Sequence, residues 1–272
     1  MHDEPTTDHR QLDAAPILAR IARLQDDRRY RDRHQLFFVE GVRNFIEAAD
    51  NHFPLDALIY SERLLIQPVA RKLVRRLKRA GVPYARVSPE QFRSVSRTER
   101  ASGVGAILRQ RVLRLDDITP RRADCWTALS QIRSPGNLGT LIRTSAATGG
   151  AGFILLGYSI DPFDPLVVRA TMGALFRQSF VRASAGQLGR WARNHKLQVI
   201  GASPDGEQEY DQVGYVRPAV LVLGNERSGL TSEQRAICRH IVRIPMVEGT
   251  DSLNVAVAGS LLLYEAFRSG SR

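Results

Sequence analysis

The sequence predicts an α/β protein in which a smaller domain precedes a larger one with a parallel sheet. Short runs rich in Val, Ile and Leu alternate with helical segments along most of the 272 residues. Such alternation is typical of parallel strands that helices cover on both faces. A polar stretch at residues 111–123 interrupts the pattern. We therefore expect a flexible tail at residues 1–16, a domain at residues 17–110, this linker, and a second domain at residues 124–272.

The first half of the chain contains four short apolar runs separated by helical segments. A polar, Arg-rich helix is predicted at residues 17–35, and the first two apolar runs predict strands at residues 36–41 and 55–61. The next segment has Pro68 near its start and Gly81 past its end, the usual punctuation of a helix. Two further strands and a helix between them complete the domain. The basic helix after Pro68 has an apolar stripe formed by Val69, Leu73, Val74 and Leu77.

Six short apolar runs make up the second half, and they alternate with helical segments. The last run ends in Ile-Pro-Met at residues 244–246. A polar loop follows, and it leads directly into a helix at residues 253–267 that is apolar on more than one face. A helix of this kind is usually buried.

The composition is that of a globular protein, with 43% apolar and 25% charged residues. No apolar run approaches the roughly 20 residues that a membrane-spanning helix needs, and residues 1–16 lack the apolar core of a secretory signal. We therefore expect a cytoplasmic protein with no membrane partner. The two cysteines and six histidines show no metal-ligand spacing, so we expect no metal and interpret Cys125 and Cys238 as ordinary thiols.

The net charge of +11 indicates a polyanionic partner, because neutralising phosphates releases counterions. Arginine supplies nearly all of this charge, and its guanidinium group pairs with phosphate through two hydrogen bonds and stacks on bases. A solvated charged face is the alternative interpretation of the basic helix. The candidate RNA-binding residues are Arg23, Arg28, Arg29, Arg71, Lys72, Arg75 and Arg76.

Two segments of the second half carry polar residues at the ends of strands. In the first, a Pro-Gly turn opens a helix, Asn137 is a candidate N-cap, and Arg143 follows in the second turn. An Arg in so small and apolar a helix needs an acidic or a phosphate partner, and a structural ion pair is the alternative to a functional role. In the second, Gly224 allows close backbone approach, and Glu226 follows at the carboxyl end of a strand, where open α/β sheets bind ligands.

A third segment is the loop after residues 244–246. Ser252 and Asn254 begin the last helix, and the apolar Leu253 lies between them. The glycine-containing sequences elsewhere lack the full spacing and the acidic partner of a dinucleotide site, which disfavours a nucleotide-dependent dehydrogenase.

The sequences SPGNLGTLIRT, LVLGNERSGL and IPMVEGTDSLNVAVAG occur in this order across residues 124–268. They resemble the three motifs of the SpoU (TrmH-type) methyltransferases of the SPOUT superfamily. The N-terminal sequence FFVEGVRNFIEAA resembles the L30e-like substrate-binding domain of the ribosomal RNA members of that family. The resemblance implies a parallel-sheet SPOUT domain with a C-terminal trefoil knot, which is an exception to unknotted topology, preceded by a smaller L30e-like α/β domain.

The resemblance also implies an enzyme that transfers a methyl group from S-adenosylmethionine to a ribose 2′-hydroxyl of RNA. It implies a homodimer formed through the catalytic domain. Ribosomal RNA is favoured over transfer RNA as the substrate, because the N-terminal domain resembles that of the ribosomal RNA members. A non-catalytic RNA-binding assembly factor with the same fold is the alternative.

The resemblance makes Arg143 the catalytic residue. Because a guanidinium group stays charged at neutral pH, we expect Arg143 to hold the flanking phosphate and to stabilise the developing alkoxide rather than to act as a base. Asn137 and Asn254 are expected to position the ribose or Arg143, and Glu226 to order this cluster or its loop. The implied cofactor-binding residues, acting largely through their backbone groups, are Leu223, Gly224, Ile244, Met246, Ser252 and Leu253.

Overall fold

The computed structural model describes residues 10–250 and 252–269 of the chain. The chain forms two compact units, each with its own sheet and its own apolar core. Unit 1 combines Met1–Gln110 with Phe163–Phe176, and unit 2 combines Arg111–Pro162 with Arg177–Arg272. None of the helices in the described residues is long and apolar enough to cross a membrane.

The described residues form ten α-helices and eleven strands. The helices are α1 (Ala14–Asp26), α2 (Arg28–His34), α3 (Val42–Asp50), α4 (Pro68–Arg79), α5 (Pro89–Val95), α6 (Pro135–Ala147), α7 (Pro165–Ala170), α8 (Ala185–Asn194), α9 (Ser232–Ile237) and α10 (Val255–Ser269). The strands are β1 (Leu36–Glu40), β2 (Leu55–Tyr60), β3 (Tyr84–Arg86), β4 (Val104–Arg109), β5 (Cys125–Ser130), β6 (Gly152–Leu156), β7 (Ser179–Ala183), β8 (Gln198–Ala202), β9 (Gln208–Glu209), β10 (Ala219–Leu223) and β11 (His240–Arg243).

The sheet of unit 1 has four strands in the order β1-β4-β2-β3. Strand β4 runs antiparallel to both of its neighbours, and β2 and β3 are parallel. Ile21 of α1 and Phe92 of α5 are fully buried in one core cluster with Ile59 and Ile107 of the sheet. Four strands were predicted for this half of the chain, and four are found.

The Arg-rich segment at residues 17–35 forms two helices rather than the single predicted helix. The backbone of Asp27 is extended between α1 and α2, and its carboxylate accepts a hydrogen bond from the backbone N–H of Tyr30 at 3.1 Å. This cap starts a new helix, because it satisfies an amide that would otherwise have no partner. Arg31 of α2 is buried and donates to the carbonyl of Leu24 at 2.8 Å. The break therefore folds α2 back onto the end of α1.

The predicted flexible tail at residues 1–16 differs from the structure over its last part. Gln11 pairs with Tyr84 as an isolated bridge, and α1 begins at Ala14. Residues 1–9 lie outside the described residues.

The basic helix α4 has the predicted bounds but a different apolar stripe. Val69 is 58% exposed, whereas Ala70, Leu73 and Val74 are buried. Ala70 takes the buried position that was predicted for Val69, so the place of Val69 in the stripe was predicted wrongly. Leu77 is partly buried.

The polar stretch at residues 111–123 does not behave as a free linker. Leu113 forms a bridge with Val181 of β7, and Leu115 is buried in a short 3₁₀ helix, Leu115–Asp117. The indole N–H of Trp191 donates to the carbonyl of Ile118 at 3.1 Å. The stretch therefore packs within unit 2. Its apolar residues show no helical or strand periodicity in the sequence because it forms no long helix or strand.

A segment of the second half of the sequence packs with unit 1. The ring centroids of Phe163 and Phe37 are 4.8 Å apart, and those of Phe176 and Phe53 are 5.0 Å apart. Helix α7 between them contacts β1. Residues 163–176 were assigned to the second domain, and the structure places them in unit 1 because their aromatic side chains complete its core.

The sheet of unit 2 has seven strands in the order β7-β6-β5-β10-β8-β11-β9, and every pairing is parallel. The α/β class and the six predicted strands are confirmed. The seventh strand, β9, has two residues, which is too short to leave a periodic pattern in the sequence. Because all strands are parallel, their carboxyl ends meet at one edge of the sheet.

The last helix, α10, packs against α6 and β10. Gly259 permits this close approach, because a Cβ at that position would lie 2.5 Å from both Leu141 of α6 and Leu223 of β10. This packing brings the start of α10 to the carboxyl edge of the sheet. The trefoil knot itself stays a prediction.

Candidate active site and basic surface

Three segments that are distant in sequence meet at the carboxyl edge of the sheet in unit 2. The side-chain amide of Asn137 donates to a carboxylate oxygen of Glu226 at 2.5 Å, across 89 residues of sequence. The amide of Asn254 donates to the side-chain oxygen of Asn137 at 3.0 Å, across 117 residues. Asn137 therefore uses both ends of its amide, and the three polar residues form one connected cluster.

Asn137 is not the N-cap of α6, contrary to the prediction. Ser134 caps the helix by accepting from the backbone N–H of Asn137, and Pro135 occupies the first helical position. A proline is well suited to that position, because the missing N–H has no intrahelical partner there. With the cap supplied by Ser134, the amide of Asn137 is available for Glu226 and Asn254.

Asn254 performs two tasks at the start of α10. Its side-chain oxygen accepts from the backbone N–H groups of Ala256 and Val257 at 2.8 and 3.3 Å, which is the pattern of an N-cap. Its amide nitrogen faces Asn137. The helix start and the polar cluster are thus fixed by one side chain.

Glu226 lies in a tight loop after β10. Asn225 and Gly229 exchange two backbone hydrogen bonds of 2.9 and 3.0 Å, and the side chain of Asn225 accepts from the backbone of Arg227 and Ser228. A Cβ on Gly224 would lie 2.3 Å from the backbone of Gly229. Gly224 therefore permits close backbone approach, as expected, and the approaching backbone is that of its own loop.

Arg143 is exposed on α6. Within the described part of the chain, no acidic group pairs with it, which removes the alternative of a structural ion pair there. Arg143 follows Asn137 by six residues, which places it about 9 Å further along the helix axis and roughly 240° around it. The two side chains therefore leave α6 on different faces, and among the described residues no hydrogen bond joins Asn137 or Asn254 to Arg143. That the two amides position the ribose instead stays a prediction.

A cavity of about 480 Å³ adjoins this cluster at the same edge of the sheet. It lies where the loops after β8, β10 and β11 meet the start of α10. Glu226 contributes to its wall. All six residues expected to bind the cofactor line it, namely Leu223, Gly224, Ile244, Met246, Ser252 and Leu253.

Sequence reasoning missed a second polar group in this cavity. Ser203 and Asp205 follow β8, and Arg235 of α9 donates to the hydroxyl of Ser203 at 2.9 Å and to both carboxylate oxygens of Asp205 at 2.8 and 2.9 Å. The hydrogen bonds from Arg235 lower the pKa of the Asp205 carboxyl. The rule that parallel sheets bind ligands at their carboxyl edge could have found Asp205, because it lies just past a strand.

The two cysteines lie apart from this chemistry. Burial raises the pKa of the Cys125 thiol and that of the Cys238 thiol, each to about 11, so both stay protonated at neutral pH. The Cys238 thiol lies 3.0 Å from the carbonyl of Gln234. In the described ranges, no group of His, Cys, Asp and Glu residues is arranged to hold a metal ion.

In unit 1, the cations predicted to bind RNA differ in how they are used. On α4, Lys72, Arg75 and Arg76 are exposed and make no ion pair with any described residue. They line a groove of about 670 Å³ together with Ile46, Asp50, Val69, Leu73 and Arg79. These three predicted residues are therefore available to a polyanion.

The other predicted cations of unit 1 are mostly engaged within the chain. The guanidinium of Arg23 lies 4.0 Å from the ring centroid of Tyr30, and Arg28 pairs with Asp32 at 3.4 Å. Arg71 donates to the backbone carbonyls of Leu65 and Glu62. A last predicted cation, Arg29, is exposed.

Two parts of the sequence match known families. Residues 125–264 match the SpoU rRNA Methylase family, and residues 16–106 match the MRM3-like substrate binding domain. The chain is 30% identical over 268 residues to the 23S rRNA (uridine(2479)-2′-O)-methyltransferase of Streptomyces viridochromogenes, which covers 94% of this chain and 92% of that protein.

The fold is similar to those of solved methyltransferases. The AdoMet-bound rRNA methyltransferase from Sinorhizobium meliloti has a TM-score of 0.86 and 33% identity, covering 95% of this chain and 97% of that chain. The SpoU methyltransferase AviRb from Streptomyces viridochromogenes has a TM-score of 0.84 and 27% identity, covering 94% of this chain and 98% of that chain. The similarity therefore includes both units.

Proposed function

This chain belongs to the SpoU rRNA methylase family, and on that basis we propose that it transfers the methyl group of S-adenosylmethionine to a ribose 2′-hydroxyl of ribosomal RNA. The observation that carries this proposal is the Asn137–Glu226–Asn254 cluster at the edge of the 480 Å³ cavity. The cluster joins all three sequence motifs at one place, next to space for a ligand.

The cavity suits the methyl donor in size and chemistry. Its volume lies within the range of about 300–1,000 Å³ that is usual for small-molecule sites. Leu223, Ile244, Met246 and Leu253 give the cavity an apolar wall that suits an adenine ring. We propose that backbone groups after β10 and β11 supply the hydrogen bonds to the ring. We propose that Gly224 and Ser252 complete this site, and that it works without a metal.

S-adenosylmethionine supplies an electrophilic methyl group, so the protein has to align the attacking hydroxyl and help it to lose its proton. We propose that the Asn137–Glu226–Asn254 cluster holds the ribose and orders the loop after β10. Arg143 binds the flanking phosphate and stabilises the developing alkoxide, and neither role requires its deprotonation.

We propose that the protein acts as a homodimer through α10. One face of α10 is buried in its own unit, but Val257, Leu261 and Tyr264 on the other face are between 36% and 55% exposed. Their spacing of four and three residues gives a continuous apolar stripe. Since α10 packs on α6, and Arg143 leaves α6 on a different face from Asn137, we propose that Arg143 serves the site of the second protomer.

Unit 1 is proposed to select the RNA. The groove on α4 offers unpaired cations that bind phosphates, which gives affinity with little choice of sequence. The expected cytoplasmic location stays a prediction.

The direct test is ribose-methylation mapping of ribosomal and transfer RNA from cells with and without the gene. Loss of one 2′-O-methyl group from ribosomal RNA supports the proposal, and loss from transfer RNA moves the substrate to that class. An unchanged map, together with no methylation of either RNA by purified protein and S-adenosylmethionine, would leave the non-catalytic assembly factor. Calorimetric titration of S-adenosylmethionine before and after chelation tests the metal-free site, because binding lost on chelation would contradict it.

A further inference from the structure

An exposed aromatic side chain lies at the same sheet edge as the polar cluster. Tyr158 follows β6 and is 82% exposed. Strand β6 pairs with β5 so that Leu156 lies beside Ser130, the last residue of β5 before the turn into α6. Adjacent strands are about 4.8 Å apart, so the loop that carries Tyr158 lies next to the segment that leads to Asn137.

The loop around Tyr158 is held in place from the neighbouring strand. Arg182 of β7 donates to the carbonyl of Gly157 at 3.2 Å and to the carbonyl of Ile160 at 3.1 Å. The centre of its guanidinium group lies 5.7 Å from the centroid of the Tyr158 ring. The loop is thus tied down on both sides of Tyr158, so a ligand that contacts the ring does not have to order the loop.

The order of the strands places this ring on the far side of the polar cluster from the cavity. The cavity is lined by the loops after β8, β10 and β11, the cluster spans β10 and the α6 turn after β5, and Tyr158 follows β6. A ribose held at the cluster would therefore lie between the cavity and Tyr158.

We propose that Tyr158 is a stacking platform for a base of the RNA substrate, either the target nucleotide or its immediate neighbour. This inference rests on the proposed function. Specific recognition of RNA uses unpaired nucleotides whose bases stack on aromatic side chains. The exposed ring, the fixed loop and the position beside the cluster are the features that such stacking requires.

The test uses the full-length protein and an RNA fragment that contains the mapped methylation site. Tyr158→Ala is expected to weaken RNA binding by about 10-fold, the order found when one stacking aromatic is removed. Tyr158→Phe keeps the ring and should bind within about 2-fold of the wild type. Val216→Ala is the control, because Val216 is 67% exposed and precedes β10 at the opposite edge of the sheet. Affinity for S-adenosylmethionine and the oligomeric state should be unchanged in all three variants.

Abasic nucleotides identify the stacked base. One abasic substitution, at or next to the target, should weaken binding to the wild type by about the same factor, and Tyr158→Ala should then add no further loss. Equal RNA affinity of Tyr158→Ala and wild type, additive losses at every abasic position, or dissociation of the oligomer in Tyr158→Ala would each overturn the inference. If the wild type methylates no RNA, the proposed function itself fails, so the two failures can be told apart.

Discussion

The carboxyl edge of unit 2 and the basic face of α4 in unit 1 both carry polar side chains, but they are built differently. At the edge, Asn137 has each end of its amide engaged, and Asn254 is held both as a helix cap and as a donor. On α4, the cations Lys72, Arg75 and Arg76 extend into solvent with no acidic partner among the described residues. The first region fixes individual atoms, and the second supplies charge.

This difference follows from what each region is proposed to do. In-line transfer of a methyl group tolerates little misplacement of the reacting atoms, so the groups that position them need several bonds each. Attraction to a phosphate backbone depends on the number of cations and on salt, and weakly on where each cation points. Single substitutions should therefore have large effects at the edge and small ones on α4.

Arg143 tests the comparison most severely, because it is exposed like the cations of α4 but lies on the helix that carries Asn137. We expect Arg143→Ala to stay folded and to bind S-adenosylmethionine, since no described residue pairs with this side chain. Its turnover should fall by at least about 100-fold, the order lost with one strong electrostatic contact in a transition state. Arg143→Lys should restore little, because it lacks the two-pronged guanidinium.

The measurement is single-turnover methylation at saturating RNA, with Arg190→Ala on α8 as the control for loss of an exposed Arg. Near-normal turnover of Arg143→Ala would place Arg143 with the α4 cations and remove it from the mechanism.

Mixing Arg143→Ala with Glu226→Ala tests the proposed dimer. If Arg143 serves the second protomer, the mixture regains about a quarter of wild-type activity, because half of the dimers are mixed and each mixed dimer has one intact site of two. No recovery would place Arg143 and Glu226 in the same protomer.

The next largest effect is expected at Glu226. Removing its carboxylate in Glu226→Ala leaves the amide of Asn137 without its acceptor and breaks the link between α6 and the loop after β10, so turnover should fall by about 10-fold or more. Glu233→Ala, which removes an exposed carboxylate from the first turn of α9, is the matched control. Rates are compared at saturating S-adenosylmethionine. A Glu226→Ala protein as active as Glu233→Ala would mean that the polar cluster is structural.

On α4, we expect the effect to appear only when several cations are removed. The triple substitution of Lys72, Arg75 and Arg76 by Ala should weaken RNA binding by about 10-fold at moderate salt. It should also reduce the slope of log K against log salt by about 2, since each lost phosphate contact contributes about 0.7. Turnover at saturating RNA should stay unchanged.

The matched control is the triple substitution of Arg23, Arg28 and Arg29, two of which are engaged within the chain. Binding is measured over a series of salt concentrations. An equal loss of salt dependence in both triple variants would show that net charge, and not the α4 groove, determines affinity.

The smallest effect concerns stability. Asn254→Ala removes the N-cap of α10 and should cost about 1 kcal/mol, which lowers Tm by about 2–4 °C. Asn254→Asp keeps the capping oxygen but no longer donates to Asn137, so it should retain the wild-type Tm while losing turnover. Calorimetry and single-turnover rates on the same samples test this. Equal Tm for all three proteins would mean that the cap does not hold α10 in place.

Much of the fold could be predicted because its signals are local. The apolar runs of β5, β6 and β10 show their period within a few residues, and the bounds of α4 follow from Pro68 and Gly81. The break at Asp27 was missed because an Asp inside a polar, Arg-rich run looks like any other exposed helical residue until the chain is seen to fold back. Strand β9 was missed because its two residues are too few to show a strand periodicity.

The sequence by itself determined the α/β class of the protein, its family, and the residue types present at the site. It could not assign the bonds of those residues, because Glu226 and Asn254 lie 89 and 117 residues from Asn137 and meet it only through the strand order of the parallel sheet. For the same reason, only the tertiary structure placed residues 163–176 in unit 1 and separated the free cations of α4 from the engaged ones of α1 and α2. A local pattern fixes which way a side chain faces on its own element, whereas its partner depends on the path of the whole chain.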